Sequence, residues 1–449
     1  MKDRDLTKGS ITKNLIFFAL PMIAGNLMQQ FYNIADTLIV GQTIGKDALA
    51  AVGSAYTLMT FITSIFLGLS MGVGALFSIY YGKGDREGLK KSTTQSFILI
   101  TAVTLVLNAL AFIFVDEIIA FLQIPSQLCG MIKEYLVIIF FGIIATSVYN
   151  FFTCLLRAVG NSSVPLYFLA VSAVTNIVLD LIFVLKLNLG IKGVAIATVI
   201  AQYLSGIGIL IYCITKCKEL LPDKAHFKFN AQMMKEIINM SFLTCAQQSA
   251  MNFGILLIQR LVDSFGAVTM AAFAAAVKID TFAYLPVQDF GNAYSTFVAQ
   301  NYGAKNSERL KQGMKKATVL ASGFSVIISA LVFIFAKPLM MIFVKSNELE
   351  VLQSGVRYLR IEGAFYIGIS CLFLLYGFYR AVKRPGMSLV LTVISLGLRV
   401  ALAYILAPIM GEIGIWIAIP IGWLLADITG YAYYFAKRSS LLSKPEKKQ

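Results

Sequence analysis

Charge is what this chain has least of. Asp, Glu, Lys and Arg together make up 14% of its 449 residues, against about 25% in an ordinary soluble domain. Apolar residues reach 58% and the mean hydropathy is +0.77, so a water-soluble globule is excluded. Histidine is nearly missing: the chain has 1, His226, in a charged stretch between apolar runs. That excludes a metal centre built on several histidines. The 6 cysteines show no metal-ligand spacing. Cys154, Cys245 and Cys371 lie in apolar runs, and Cys213 and Cys217 flank the end of another; all six read as small packing residues or free thiols. No GxxxxGK[ST] phosphate loop occurs. An enzyme embedded in a membrane is left only aspartyl chemistry between two buried acids.

Long apolar runs are abundant. Segments of about 20 apolar residues cross a hydrocarbon core of about 30 Å as a helix. Twelve are expected, near 13–38, 49–80, 93–115, 134–154, 163–185, 191–214, 236–261, 267–300, 317–338, 355–379, 387–409 and 413–436. The fold class is therefore an all-α membrane protein. The N-terminus MKDRDLTKGSITK is charged and leads straight into a full-length span, so no cleavable signal peptide is expected. Net charge is +15, and most of the basic residues fall on one side of a twelve-span topology. Lys83, Arg86, Lys90, Lys91, Arg157, Lys305, Arg309, Lys311, Arg380 and Arg384 are on that side, together with both termini. This is the positive-inside bias. It predicts a multi-pass protein of the plasma membrane with both termini in the cytoplasm, and it makes a nucleic-acid partner unnecessary. The sequon Asn161-Ser162-Ser163 falls on the inner side, where it is not glycosylated.

The chain repeats itself. Residues 45–91 resemble residues 266–312 at a constant offset of 221. Gly45 meets Gly266, Thr60-Phe61 meets Thr281-Phe282, and Tyr81-Gly82 meets Tyr302-Gly303; further on, Arg157-Ala158-Val159 meets Arg380-Ala381-Val382. The expected organisation is an N-lobe over 1–214, a cytoplasmic linker over 215–235, a C-lobe over 236–438 and a tail over 439–449. Six spans in each half give both halves the same orientation, related by a pseudo-two-fold axis along the membrane normal. Two such lobes suit a carrier that rocks around a central cavity. Pro21, Pro286 and Pro420 each remove a backbone hydrogen bond inside a span, and Pro21 is the candidate hinge. Gly68, Gly72 and Gly74 allow close packing or a bend in the second span.

Polar residues inside the spans carry the functional reading. Asn26, Gln29, Gln30, Asn33, Asp36 and Thr37 fall within an arc of roughly 120° on the first span. A charge at the bilayer centre costs roughly 3 kcal/mol even on the lenient insertion scale, so this stripe is expected to face helices or water. The first half has two deep acids, Asp36 and Asp180, and no base at comparable depth. Such a pair requires protons, a bound cation or a cationic substrate. With Asn33, Asn176 and Thr198 it forms an all-oxygen set suited to Na⁺ or to a proton relay. Under the repeat, Asp36 is answered by Leu257, Asn176 by Arg399 and Asp180 by Ala403. The acid pair then belongs to the first half only, and a coupling ion confined to that half follows. The second half has its own stripe, Gln247, Gln248 and Asn252, and its acids Asp280, Asp289, Glu362 and Asp427 can pair internally with Lys278 and Arg399. Candidate cavity residues are Asn26, Gln29, Gln30, Gln247, Gln248, Asn252 and Asp289. Tyr32, Phe61, Phe282 and Tyr284 are candidate aromatic contacts for a flat cation.

The segments ALPMIAGNLMQQFYNIADTLIVG (19–41), YYGKGDREGLKK (80–91), NYGAKNSERLKQ (301–312), LLRAVGNSSVP (155–165) and NIVLDLIF (176–183) together resemble the multidrug and toxic compound extrusion transporters, over nearly the whole chain. The resemblance implies a V-shaped twelve-helix fold and efflux of bulky, often cationic organic compounds driven by H⁺ or Na⁺ re-entry, with no other cofactor. It also implies a cation site at Asp36, Asn176, Asp180 and Thr198, which ligate metal only if the ion is Na⁺. The acidic positions that other branches use in the second half are not matched: helix 7 has Gln247 and Gln248, and helix 10 has Glu362 near its start. The expected partners are small organic substrates and the bilayer, with the protein acting as a monomer. A flippase for a lipid-linked oligosaccharide is the alternative, and it calls for a basic cavity where only Lys278 and Arg399 lie deep.

Overall fold

The computed structural model describes residues 4–121 and 126–442; residues 443–449, most of the predicted tail, lie outside it. Every regular element among the described residues is helical. A helix closes all its backbone hydrogen bonds within one segment, which is what a hydrocarbon solvent demands. The first half contains α1 (Ile11–Thr43), α2 (Lys46–Lys83), α3 (Arg86–Ile113), α4 (Val115–Phe121), α5 (Ser126–Phe140), α6 (Gly142–Ala158), α7 (Ser163–Leu181) and α8 (Gly190–Lys216). The second contains α9 (Ala231–Asp263), α10 (Ala267–Gly303), α11 (Ser307–Met340), α12 (Leu349–Gly363), α13 (Tyr366–Ala381), α14 (Pro385–Thr392), α15 (Leu398–Met410) and α16 (Glu412–Leu442).

Nine helices among the described residues are long and apolar enough to cross a bilayer, and two bent pairs bring the number to eleven. The pairs are α5 with α6, bent by 43°, and α12 with α13, bent by 51°. Each break sits beside a glycine, Gly142 or Gly363. The twelfth predicted span is α9. Its 33 residues run about 50 Å at the usual rise, but Lys235, Glu236, Gln247, Gln248 and Asn252 lower its hydropathy. α1 continues through Pro21 without a break.

The repeat reappears as backbone geometry. Positive φ angles fall at equivalent turns: Gly45 (117°) and Gly266 (94°), Gly84 (72°) and Lys305 (58°), Gly160 (90°) and Lys383 (60°), Gly190 (55°) and Gly411 (64°). The α2–α3 and α10–α11 corners are also capped alike. Asp85 accepts from Gly88 N at 2.8 Å, and Asn306 accepts from Arg309 N at 3.1 Å.

The chain divides into two compact units, Met1–Arg4 with Ala24–Cys245, and Asp5–Ile23 with Ala246–Gln449. Two helices are thus divided between units. α1 changes unit after Ile23, two positions beyond Pro21, and α9 changes after Cys245. These switch points lie 222 positions apart, close to the repeat offset of 221.

In the first unit the early part of α9 lies directly on α2. A Cβ on Gly68 would come 2.6 Å from Cys245 Cα, and one on Gly72 would come 2.6 Å from the Met240 carbonyl oxygen. Of the two readings of these glycines, close packing is the one observed. Around the contact, Leu69, Val73, Phe77, Phe151, Leu155, Ile237 and Met240 form one apolar core, and Val40, Ala51, Leu136, Phe140 and Val194 belong to a second. The linker folds onto the start of α3. His226 Nε2 meets Glu87 at 2.9 Å, Lys90 donates to Asp223 at 2.9 Å, and Arg86 pairs with Glu219. In the second unit Leu6 N donates to Gln300 Oε1 at 3.0 Å, and Arg309 donates to the carbonyls of Leu6, Lys8 and Gly9.

Candidate functional site

Three helices of the first unit converge on two acids. Asp36 comes from α1, Asn176 and Asp180 from one face of α7, where i and i+4 side chains are neighbours, and Thr198 from α8. Asp180 is fully buried and Asn176 is 2% exposed; Asp36 is half-buried. The Asp36 and Asp180 carboxyl groups lie against each other. Two carboxylates offer only acceptors, so neither satisfies the other unless a proton or a cation stands between them.

The neighbouring groups do not supply a donor. Thr198 Oγ1 gives its proton to the Val194 carbonyl at 3.0 Å and accepts from Asn176 Nδ2 at 3.4 Å. That contact turns the amide oxygen of Asn176 away from Thr198. Asn176 Oδ1, both oxygens of Asp180 and Oδ1 of Asp36 are buried and without a hydrogen-bond partner. Buried polar atoms are nearly always paired, and each orphan costs about 1–3 kcal/mol. Four orphan oxygens at one place, all acceptors, make a site that lacks positive charge. The donor set is oxygen throughout, which suits a hard cation or a proton.

Two tyrosines act on both acids, Tyr32 of α1 and Tyr135 of α5. Tyr32 stands four residues before Asp36 on the same face and hydrogen-bonds Gln29. Tyr135 is 8% exposed and is a site neighbour that the sequence hardly marks. Its signal there is weak: a tyrosine opening the apolar run after Lys133-Glu134. Asn33 is half-buried, and its backbone carbonyl accepts from Thr37 Oγ1 at 2.7 Å within α1, a contact that does not bring it to the two acids. Along the rest of the stripe Asn26 and Gln30 are half-buried, Gln29 is exposed, and Phe61 of α2 is exposed.

The remaining candidates belong to the second unit. Gln247 is buried with Oε1 unpartnered, Gln248 and Asn252 are half-buried, and Asp289 is buried. Tyr284 stacks on Phe373 with ring centroids 6.5 Å apart; Phe282 is half-buried. Lys278 sits over the Phe343 ring at 5.8 Å.

One expectation needs correcting. The repeat comparison gave an acid pair to the first half only. The second unit also brings two carboxyls together, Asp280 of α10 and Glu362 of α12. Comparing equivalent positions misses them because the pair is built from helices that do not correspond to α1 and α7.

A family model described as MatE matches residues 21–182 and again residues 243–405, so the duplication appears in the family pattern too. The probable multidrug resistance protein YpnP of Bacillus subtilis (strain 168) is 27% identical over 435 residues, 97% of each chain. A protein named FAD transporter, of Shewanella oneidensis, is 26% identical over 98% of this chain and 97% of its own. Among solved structures, an outward-facing multidrug resistance MATE family transporter of the MOP superfamily superposes with a TM-score of 0.92 at 22% identity, over 99% of this chain and 100% of that one. That likeness establishes the fold, twelve helices divided between two lobes.

Proposed function

The chain belongs to the MatE family of multidrug transporters, and from that premise we propose that it is an antiporter exporting bulky, often cationic organic compounds in exchange for H⁺ or Na⁺. As a family member it is a transporter of small organic molecules in a membrane, not an enzyme. The observation that carries the finer reading is the set of orphan oxygens on Asp36, Asn176 and Asp180. A coupling ion entering that set supplies the positive charge it lacks. Occupancy changes the charge carried by α1, the helix that is divided between the two units beyond Pro21. Ion energy reaches the substrate only through different ion affinities in the two carrier states. The working protein is a monomer of the plasma membrane with both termini in the cytoplasm. Its lobes are 1–214 and 236–438, joined by 215–235. Asn26, Gln29, Gln30, Gln247, Gln248, Asn252 and Asp289, with Tyr32, Phe61, Phe282 and Tyr284, line the substrate route.

The flippase alternative is not favoured. It needs basic groups for a phosphate, and of the two deep bases Lys278 sits over an aromatic ring and Arg399 is close enough to Glu362 to act on its charge.

The test is reconstitution in vesicles with a pH gradient or a Na⁺ gradient imposed separately, following export of a fluorescent organic cation. One of the two gradients drives export on this reading. If neither does, antiport is wrong.

A further inference from the structure

The linker carries charge that the transport reading leaves unused. Residues 215–235 hold five lysines and two acids, Glu219 and Asp223, and all belong to the first unit. Both acids turn toward α3, where Glu219 pairs with Arg86 and Asp223 with Lys90. Glu87 of α3 is taken in the same way by His226, which is buried. Lys216, Lys218, Lys228 and Lys235 are exposed, and none of them pairs with an acid among the described residues. Pairing of the acids onto α3 therefore leaves the linker with a basic outer surface.

Two aromatic rings stand among these lysines. Phe227 is 60% exposed and Phe229 is 72% exposed, outside every span. Lys228 between them is extended, with φ −66° and ψ 124°, so the two rings leave the same side of the chain. The long stem of Lys228 leaves its ammonium free to reach beside them. This stretch is held in place. The buried Gln95 amide bonds the main chain of Asn230 in both directions, accepting from its N–H at 2.9 Å and donating to its carbonyl at 3.1 Å. The level of the stretch can be read on three helices. On α3, residues 92–96 are buried, and exposed apolar surface begins two positions after Gln95, at Phe97 and Ile98. On α8, exposed Ile214 stands two positions before Lys216; on α9, exposed Ile238 stands three positions after Lys235. At about 1.5 Å per residue the apolar outer surface of each helix starts within about 5 Å, along its axis, of a linker lysine or of the Gln95 anchor. That is the boundary between hydrocarbon and headgroups.

We propose that Lys216, Lys218, Lys228 and Lys235, with Phe227 and Phe229, form a binding surface for anionic phospholipid. The ammonium groups meet headgroup phosphates, and the two rings enter the upper part of the acyl chains, as the apolar face of an interfacial segment does. Charge decides the headgroup. A lysine near an anionic surface is drawn to it by about fivefold, and salt screens the attraction; a neutral headgroup offers no such gain. The leaflet concerned, the cytoplasmic one, rests on the proposed topology. The surface itself does not depend on antiport, and it is testable without transport.

The fold leaves a quiet background for a reporter. The chain has 2 tryptophans, Trp416 and Trp423, and both are buried. Phe229→Trp and, separately, Phe227→Trp place an indole at the surface. Each full-length variant is put into lipid nanodiscs of equal parts phosphatidylcholine and phosphatidylglycerol, with bromine on the upper acyl chain of one lipid or of the other. Both variants are expected to lose more emission than the wild type does. The loss is expected to be at least twofold greater when phosphatidylglycerol carries the bromine. That preference is expected to vanish when Lys216→Gln and Lys228→Gln are combined with the tryptophan, and to shrink in about 1 M salt, where the screening length is about 3 Å. Two tryptophan positions keep the measurement readable if one variant misfolds, and the lysine variants alter only exposed side chains. No added quenching in either variant would leave the rings in water or against a protein partner, and it overturns the proposal. Equal quenching by the two lipids overturns it as well, since the contact would then be with acyl chains alone. A phosphatidylglycerol preference that survives the lysine substitutions overturns the assignment to these lysines.

Discussion

Asp36 and Asp180 hold their carboxyl groups against each other inside the first unit, and three of their four oxygens meet no donor. An arrangement that leaves like charges in contact persists only where something positive completes it for part of the time.

At the proposed ion site, the neighbours of Asp36 and Asp180 set how tightly the ion is held. Removing one oxygen ligand, by Asn176→Ala or Thr198→Ala, is expected to weaken ion dependence about tenfold, the equivalent of about 1.4 kcal/mol. The half-saturating ion concentration for export reads this directly. Tyr135→Phe keeps the ring and drops the hydroxyl. A shifted ion dependence places Tyr135 in the site; an unchanged one makes it a packing residue.

The contact of α9 on α2 gives a stability prediction. Gly72→Ala puts a methyl against the Met240 carbonyl and Ser241 Cα, backbone that cannot swing aside. The expected loss is about 1–3 kcal/mol, as for other overpacked sites. Gly323→Ala on α11 meets nothing within 4 Å and replaces a helical glycine, so it is neutral or stabilising by about 0.5–1 kcal/mol. Thermal unfolding of the two variants side by side checks both. Equal melting temperatures would show that the α2–α9 contact is looser than described.

Much of this was legible in the sequence, and the reasons differ by feature. The spans were readable because hydrocarbon selects runs of apolar residues. Asp36, Asn176 and Asp180 were readable because acids and amides stand out in such runs. Tyr135 was not, since a tyrosine in an apolar helix looks like any packing aromatic. The bends at Phe141 and after Gly363 involve no proline and left no mark. The division of α1 and α9 between units, and the meeting of Asp280 with Glu362, depend on which helices become neighbours, and helical periodicity does not record that.

The repeat makes a sharper stability prediction. Lys305 and Lys383 hold φ angles of 58° and 60° where the first half has Gly84 and Gly160. A side chain in that left-handed region costs about 1–2 kcal/mol, partly offset by the chain entropy that glycine loses on folding. Lys305→Gly and Lys383→Gly are each expected to raise stability by up to about 1 kcal/mol. A lowered melting temperature in both would mean the lysine side chains contribute more than their backbone strain takes away.

The linker contact has a defined pH window. The hydrogen bond and charge of Lys90 hold the Asp223 carboxyl below its ordinary value. Its contribution is therefore full above the unfolded value of about 3.9 and is lost as pH falls through the lower, folded value. A nitroxide attached at Ala225→Cys reads the linker's attachment. The expected spectrum is immobile from neutral pH down to about 4 and becomes mobile below it. Asp223→Asn, which lacks this charge but keeps the His226–Glu87 and Arg86–Glu219 contacts, is expected to be more mobile than the parent protein at neutral pH. Mobility independent of pH in the parent protein would dissociate the linker's attachment from this pair.

The central claim is that the coupling ion crosses by way of Asp36 and Asp180. Coupling is reciprocal in free energy, so a substrate gradient imposed on vesicles must drive the ion the other way. The decisive measurement is ion flux, H⁺ or Na⁺, set off by a substrate gradient in wild-type protein and in Asp36→Asn. Opposite-directed ion flux is expected in the wild type and its loss in the variant, with the variant still binding substrate. Ion flux in Asp36→Asn as fast as in the wild type would contradict it.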